Sequence, residues 1–493
     1  MSFFDNAEDR TVRTVVIISL LFGFALRMRQ YLFNRSIWLD EASLANNIIG
    51  RSFAGLTQTL DFGQGAPIGF LFIQKLMVTL FGGQDYILRL FPFIAGVVSL
   101  YLFYQLARDT TAGFGQVLAT CLFSISTYLV YYSSECKQYS SDVMACLLLM
   151  ICGQRCLKPD ATRKDFTILA FAGVIMLWIS HPSLFVCCGV GVALLPDLRR
   201  NFTNMLMIAG LWTVNFLVLY VVSFRPLAAN AGLMLYWDKA FMPMPPWTNL
   251  AWFADRLLHV FKNPIDLPIP WIAPLLVFAG LILFCMKKRS TGIMICTTLV
   301  ATLLASGLRK YPVSDRLLLF AVPMVFLCIG ATVEQIRSWL KTKHAKLAIV
   351  FSLIMTVILL GRPTVLAVSR IIHPKNGEDI KTVLKYVVNK KSQGDALYIY
   401  NRSAQAFNFY ASHYGLDNHP IIKGIDSSKN PEGYYAEIAR LKAHERIWFI
   451  YSHNYNWGGY DEVSFINDML SQAGTKLDEV RSVDAGGYLY QMK

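Results

Sequence analysis

Tyr86 to Ala107 reads YILRLFPFIAGVVSLYLFYQLA and runs directly into Arg108. A helix that crosses a bilayer needs about 20 largely apolar residues, and lysine and arginine collect at the cytoplasmic end of such helices. This stretch meets both conditions, and the pattern recurs along the 493 residues. The chain is 55% hydrophobic and only 16% charged, with a mean hydropathy of +0.42. Soluble domains carry about 25% charged residues, so an ordinary soluble enzyme and a disordered chain are both excluded. Lys+Arg 46 against Asp+Glu 32 gives a net charge of +14. Those cations fall in loops between apolar runs, which argues for a membrane partner and against nucleic acid.

Working outward from Tyr86, the charges set a topology. Arg10 and Arg13 place the N-terminus in the cytoplasm, and a first span over 14–33 leaves it. The next apolar run, Pro67 to Phe81, would put Arg108 and the basic loop Arg155 to Lys164 on opposite sides if it crossed. Laid along the outer surface as a juxtamembrane helix, it reconciles them. Further spans are then expected at 86–107, 113–132, 143–157, 166–180, 183–196, 204–222, 271–286, 292–307, 317–333 and 347–368. The expectation is a multi-pass plasma (inner) membrane protein with about eleven α-helical spans and outer juxtamembrane helices. A membrane module would occupy 1–369, with outer loops at 34–66, 133–141, 224–270 and 308–316. The loop 224–270 is rich in proline and tryptophan, which precludes long helices and suits the interface. A polar extracytoplasmic domain would follow over 370–493. There DALYIYN (395–401), RIWFIYSH (446–453) and 487–492 read as strands, and 404–414, 434–443 and 463–473 as helices, hence a small α/β layer.

All ten cysteines lie between Cys121 and Cys328, so the polar C-terminal part has neither a disulfide framework nor a thiolate zinc site. The first apolar run has no small-residue cleavage site after it and should remain as a span.

Candidate chemistry gathers in the outer segments. Trp38-Leu39-Asp40-Glu41-Ala42-Ser43 sets adjacent carboxylates before an amphipathic stretch. Asp40 there is either a helix N-cap, with Glu41 complementing the dipole, or a base that takes a proton from a hydroxyl nucleophile. Arg309-Lys310-Tyr311-Pro312-Val313-Ser314-Asp315-Arg316 carries three cations on the side where cations are disfavoured. They either snorkel to headgroups or clamp a lipid phosphate as it departs. Glu135, Lys137 and Tyr139 end a span, where an ion pair on a solvated turn with tyrosine anchors is the plain alternative. His181-Pro182 sits at the tip of a short hairpin, where a lone histidine is more often structural. No Walker loop, HExxH or GxGxxG stands in a convincing setting.

The order IWLDEASLANNI, DFGQGAPIGFLFIQKLMVTLFG, YILRLFPFIAGVVSLYLFYQLAR, YYSSECKQYSSD and RKYPVSDRLLLFAVP resembles the GT-C superfamily of membrane glycosyltransferases. The likeness is to the bacterial branch related to protein O-mannosyltransferases and the lipid A aminoarabinose transferase, and it covers roughly 14–370. It implies a GT-C fold and transfer of a sugar from a polyprenyl-phosphate donor to a glycan, glycolipid or protein acceptor on the non-cytoplasmic face. It assigns catalysis to Asp40 with Glu41 and donor-phosphate binding to Arg309, Lys310 and Arg316. It maps substrate contacts onto Glu135, Lys137 and Tyr139; Tyr311 and His181 are further substrate-binding candidates outside that mapping. GQGAPIG departs from the His-Pro-Pro motif of the O-mannosyltransferases, which weighs against a protein acceptor. A divalent cation beside Asp40 or Glu135 is compatible with this pattern, but no ligand spacing demands one. Two competing classes remain. A flippase for lipid-linked glycans would need polar residues along mid-span pathways; an inactive scaffold would tolerate loss of the carboxylates.

Overall fold

The structure, a computed structural model, describes residues 3–427, 430, 432–454, 456–457 and 460–493. Its contacts divide the chain into two compact units. One holds Met1–Phe33 and Ser52–Pro374, the other Asn34–Arg51 and Lys375–Lys493.

The first unit is helical. Among the described residues, six helices are long and apolar enough to cross a membrane: Arg10–Phe33, Asp85–Thr110, Phe202–Ala228, Arg289–Gly307, Asp315–Lys343 and Ala345–Ile372. Shorter apolar helices occupy Gly113–Ile125, Ser183–Asp197 and Ala273–Lys287, and Tyr139–Cys156 and Arg163–Ile179 complete the series. Each expected span therefore has a helix. Their outward faces stay apolar and exposed, as at Ile18, Leu21, Leu206, Val214, Leu353 and Val357, which is the surface a lipid solvent wets. Inside, close approach replaces the hydrophobic effect as the source of cohesion. A Cβ on Gly115 would stand 2.3 Å from the Gly330 carbonyl oxygen, so only glycine lets these two helices meet there. Trp178 Nε1 donates to Asn215 Oδ1 at 2.8 Å and Trp212 Nε1 to the Ala170 carbonyl at 3.0 Å, tying Arg163–Ile179 to Phe202–Leu219.

Ile68–Phe81 is a separate helix of 14 residues. At 1.5 Å per residue it measures about 21 Å, short of the hydrocarbon thickness of about 30 Å. In the proline-rich loop, the proline-free run Leu250–Lys262 does form a helix, capped by the Asn249 side chain. The tryptophans and prolines on either side had obscured it.

The second unit is built on a five-stranded sheet. Its strands are β1 (Ala396–Ile399), β2 (Ile421–Lys423), β3 (Arg446–Ser452), β6 (Gly474–Ser482) and β7 (Ala485–Met492), with a separate two-stranded ribbon of β4 (Asn456–Trp457) and β5 (Tyr460–Asp461). The order is β2-β1-β3-β7-β6; β1 runs parallel to β2 and β3, and β7 runs antiparallel to β3 and β6. Side chains alternate as the pleat requires. Tyr398, Ile447 and Phe449 join Tyr434, Ile438, Ile466 and Leu470 in one core, while Trp448 turns to the other face against Tyr386. Helix Ile380–Lys390 covers that second face, burying Ile380, Val383, Leu384 and Val387. Helix Leu39–Gly50, early in the chain, packs within this unit against helix Ala404–Ala411.

Candidate functional site

The sequence-derived candidates fall into both units. Asp40 and Glu41 belong to the unit with the sheet; Glu135, Lys137, Tyr139, His181, Arg309, Lys310, Tyr311 and Arg316 belong to the helical one.

Helix Leu39–Gly50 starts two residues earlier than an Asp40 cap would require. Trp38 is its N-cap and makes no side-chain cap bond, so Asp40 and Glu41 lie in the first turn. The cap comes from far along the chain: the Leu39 N–H donates to Glu378 Oε2 at 3.1 Å. The approach to the helix is pinned in the same way. The Ile37 N–H donates to the Tyr410 hydroxyl at 2.9 Å, Ser36 Oγ to Asp379 Oδ1 at 2.8 Å, and Lys381 Nζ to the Asn34 carbonyl at 2.9 Å. Burial works against the Asp379 carboxylate, yet hydrogen bonds from Thr382, Ser482 and Ser36 hold its pKa below the usual range. The two adjacent carboxylates then part company. Glu41 is fully buried and meets Arg35 Nη1 at 2.9 Å, both side chains at 1% exposure or less. Asp40 is half-buried. Both sit in the first turn, at the positive end of the helix dipole, where acidic side chains are stabilising.

In the helical unit, residues 132–142 are buried throughout. This overturns the solvated-turn reading of Glu135 and Lys137, which are 0% and 4% exposed. Buried charge is retained only where partners compensate it. Lys137 Nζ donates to Gln64 Oε1 at 2.6 Å. The Arg316 guanidinium lies 5.8 Å from the centre of the Tyr139 ring. Gln138 Oε1, also buried, has no hydrogen-bond partner among the described residues, and Asp142 is buried one helical turn after it. A polar interior of this kind suits a polar ligand or ordered water.

Gln64 also lines a cleft enclosing about 40 Å³ with Gly65, Leu71, Ser223, Leu227 and Asn230. A Cβ on Gly65 would fall 2.5 Å from Leu227 Cδ1, so a larger residue there would displace the end of that leucine. Ser223 belongs to a π-helical turn, Tyr220–Phe224, a feature frequent at functional sites. His181 Nε2 lies 3.4 Å from Ser223 Oγ. Lys137 and His181 thus reach the same cleft through Gln64 and Ser223, two residues the sequence reading did not select.

The basic turn splits. Arg316 follows Asp315, whose carboxylate takes hydrogen bonds from His259 Nε2 at 2.6 Å and Asn263 Nδ2 at 2.9 Å. Helix Leu250–Lys262 and the residue after it thereby set where Arg316 emerges. Arg309 takes the left-handed position that ends helix Arg289–Gly307, at φ 57, where the Lys310 N–H caps the Ala305 carbonyl. Its guanidinium meets Asp238 at 2.6 Å and is 55% exposed. Lys310 is exposed as well. The Tyr311 hydroxyl donates to the Leu317 carbonyl at 2.7 Å, and its ring packs on Phe185.

Against known proteins, residues 65–224 match the family model described as dolichyl-phosphate-mannose-protein mannosyltransferase. No curated protein sequence matches the chain. Among solved structures, ArnT from Cupriavidus metallidurans in the apo state is 14% identical, with 98% of each chain covered and a TM-score of 0.52. The same protein bound to undecaprenyl phosphate gives 14% identity, 97% coverage of each chain and a TM-score of 0.50. The archaeal oligosaccharyltransferase AglB from Archaeoglobus fulgidus, in complex with an inhibitory peptide and a dolichol-phosphate, is 10% identical. It covers 99% of this chain and 74% of its own, with a TM-score of 0.52.

Proposed function

We propose that this chain, a membrane glycosyltransferase of the GT-C superfamily, moves a sugar from a polyprenyl-phosphate donor to a hydroxyl of a glycan or glycolipid, with inversion at the anomeric carbon. Asp40 takes the proton of the acceptor hydroxyl as its oxygen attacks. The bond from the anomeric carbon to the phosphate oxygen breaks, and the phosphate leaves with the electron pair. Arg316 and Lys137 stabilise that charge in a site withdrawn from water, where such contacts are worth most. Arg309 and Lys310, both exposed, draw the anionic donor in by long-range attraction. Glu41 holds Arg35 and so keeps the helix start in place. Polyprenyl phosphate departs readily, so positioning and charge stabilisation can supply most of the acceleration.

The observation that carries this reading is the buried segment 132–142, in which Lys137 is tied to Gln64 and Tyr139 lies under Arg316. Ligand-bound relatives are consistent with such a donor, since one holds undecaprenyl phosphate and another a dolichol-phosphate. The distribution of Arg10, Arg13 and the later basic loops supports an inner-membrane protein with a cytoplasmic N-terminus and its sheet-bearing unit outside. The missing His-Pro-Pro at GQGAPIG supports a non-protein acceptor.

The test is Asp40→Asn in the purified protein with a lipid-linked sugar and an acceptor glycan. Turnover should fall about 10²–10⁴-fold, the usual worth of a positioned base. Undiminished turnover removes Asp40 from the chemistry.

A further inference from the structure

Three turns of the sheet-bearing unit converge at Glu378, the residue that caps helix Leu39–Gly50. Glu378 precedes helix Ile380–Lys390, His453 follows β3, and Asp484 lies in the turn between β6 and β7. One ligand atom from each, a ring nitrogen and two carboxylate oxygens, all lie within 4.8 Å of one another. Glu378 is buried, His453 half-buried and Asp484 exposed, so the group opens to solvent on one side only. The two turns interlock: the His453 N–H donates to the Asp484 carbonyl at 3.2 Å, and the Asn454 N–H donates to Asp484 Oδ1 at 3.1 Å. His453 Nδ1 stands 2.5 Å from Glu378 Oε1.

Within the three-residue group the charges do not balance, and outside it the Arg402 guanidinium also acts on His453. Two ionised carboxylates facing one imidazole leave the group negative even with the histidine protonated, and Glu378 is nearly closed off from water. A proton shared between His453 and Glu378 satisfies that pair and leaves Asp484 as a second anion beside it. A divalent ion satisfies all three. An imidazole in the set favours a borderline transition metal over magnesium or calcium. Three protein ligands with a solvent-facing fourth position is the arrangement zinc takes in open sites.

We propose that Glu378, His453 and Asp484 bind one zinc ion, with water as the fourth ligand. Glu378 gives the site its consequence, because its other oxygen, Oε2, caps the helix that carries Asp40. Zinc would fix that carboxylate and with it the first turn of Leu39–Gly50. The effect on turnover rests on the reading of Asp40 as the base. Metal binding does not.

The experiment uses the full-length protein in detergent, stripped with a chelator and titrated with zinc by calorimetry, with metal content measured after dialysis. Wild type should retain one zinc per chain and melt at a higher temperature with zinc than without. His453→Gln and Asp484→Asn should weaken binding by at least about 100-fold, the upper end of what losing a mere supporting residue costs, and should abolish the thermal shift. Asp484 is exposed, so its variant keeps the fold even if the histidine variant does not. Cobalt in place of zinc should give a ligand-field spectrum without thiolate charge-transfer bands, which separates this site from the ten cysteines. Absence of stoichiometric binding, binding undiminished in Asp484→Asn, or a thiolate spectrum each overturns the proposal. Since binding is read without substrate, full turnover by Asp40→Asn would discard the base and leave the metal site standing.

Discussion

At the scale of single residues, adjacent carboxylates of the same chemistry have been given different surroundings. Glu41 is sealed against Arg35 with both side chains out of water. Breaking such a pair from one side strands the other charge and costs about 3–5 kcal/mol. Glu41→Gln should therefore lower stability by about that amount, read as a shift in the thermal or denaturant midpoint of the purified protein. Asp40→Asn should leave the midpoint nearly unmoved while turnover falls. The cations divide similarly. Arg316→Gln should cut kcat by about 10²–10³-fold, as for loss of one donor to a developing oxyanion. Arg309→Ala should raise KM for the lipid-linked donor with little change in kcat, because an exposed pair such as Arg309 with Asp238 contributes only about 0–1 kcal/mol. Equal effects of the two variants on kcat would contradict this division of labour.

At the scale of elements, the caps carry the local argument. Asp461 closes the N-terminus of helix Glu462–Ala473 by accepting the Ser464 N–H at 2.9 Å, and Asn454 Nδ2 also donates to it at 3.0 Å. Burial pushes its pKa up, but the Ser464 and Asn454 hydrogen bonds outweigh that and hold it below the ordinary value. A depressed carboxyl contributes stability that is present above its unfolded pKa of about 3.9 and is lost as pH falls through the lower folded value. Asp461→Ala should cost about 1 kcal/mol near neutral pH and flatten the acid limb of a melting profile. Caps of this local kind are legible in a sequence. The cap on Leu39–Gly50 is not, because its donor of charge, Glu378, is 339 residues away. Period decided the rest. The strands at 396–399 and 446–452 were readable because their residues are apolar on both faces, and the membrane helices because apolar runs of that length have one meaning. β6 reads GTKLDEVRS, mostly exposed or half-exposed, and an edge strand of that polarity has no apolar pattern to announce it. Lys137 is hard to read for a related reason: its charge suggests water, while in the fold it is buried and donates to Gln64 Oε1.

At the scale of the whole molecule, the choice between transferase and flippase turns on what happens to the donor. Reconstituted in liposomes with lipid-linked sugar and acceptor, the protein should release free polyprenyl phosphate and glycosylated acceptor in equal amounts. Movement of intact donor between leaflets without release would favour transport. The sheet-bearing unit is itself discontinuous in sequence, since residues 34–51 complete it together with 375–493. Ser36 with Asp379, Ile37 with Tyr410 and Leu39 with Glu378 are its internal seams. Heredity has to respect those seams. A hybrid that imports a foreign tail after position 374 but retains the native 34–51 would pair partners never selected together. A workable exchange would have to carry 34–51 and 375–493 together, as one split cassette.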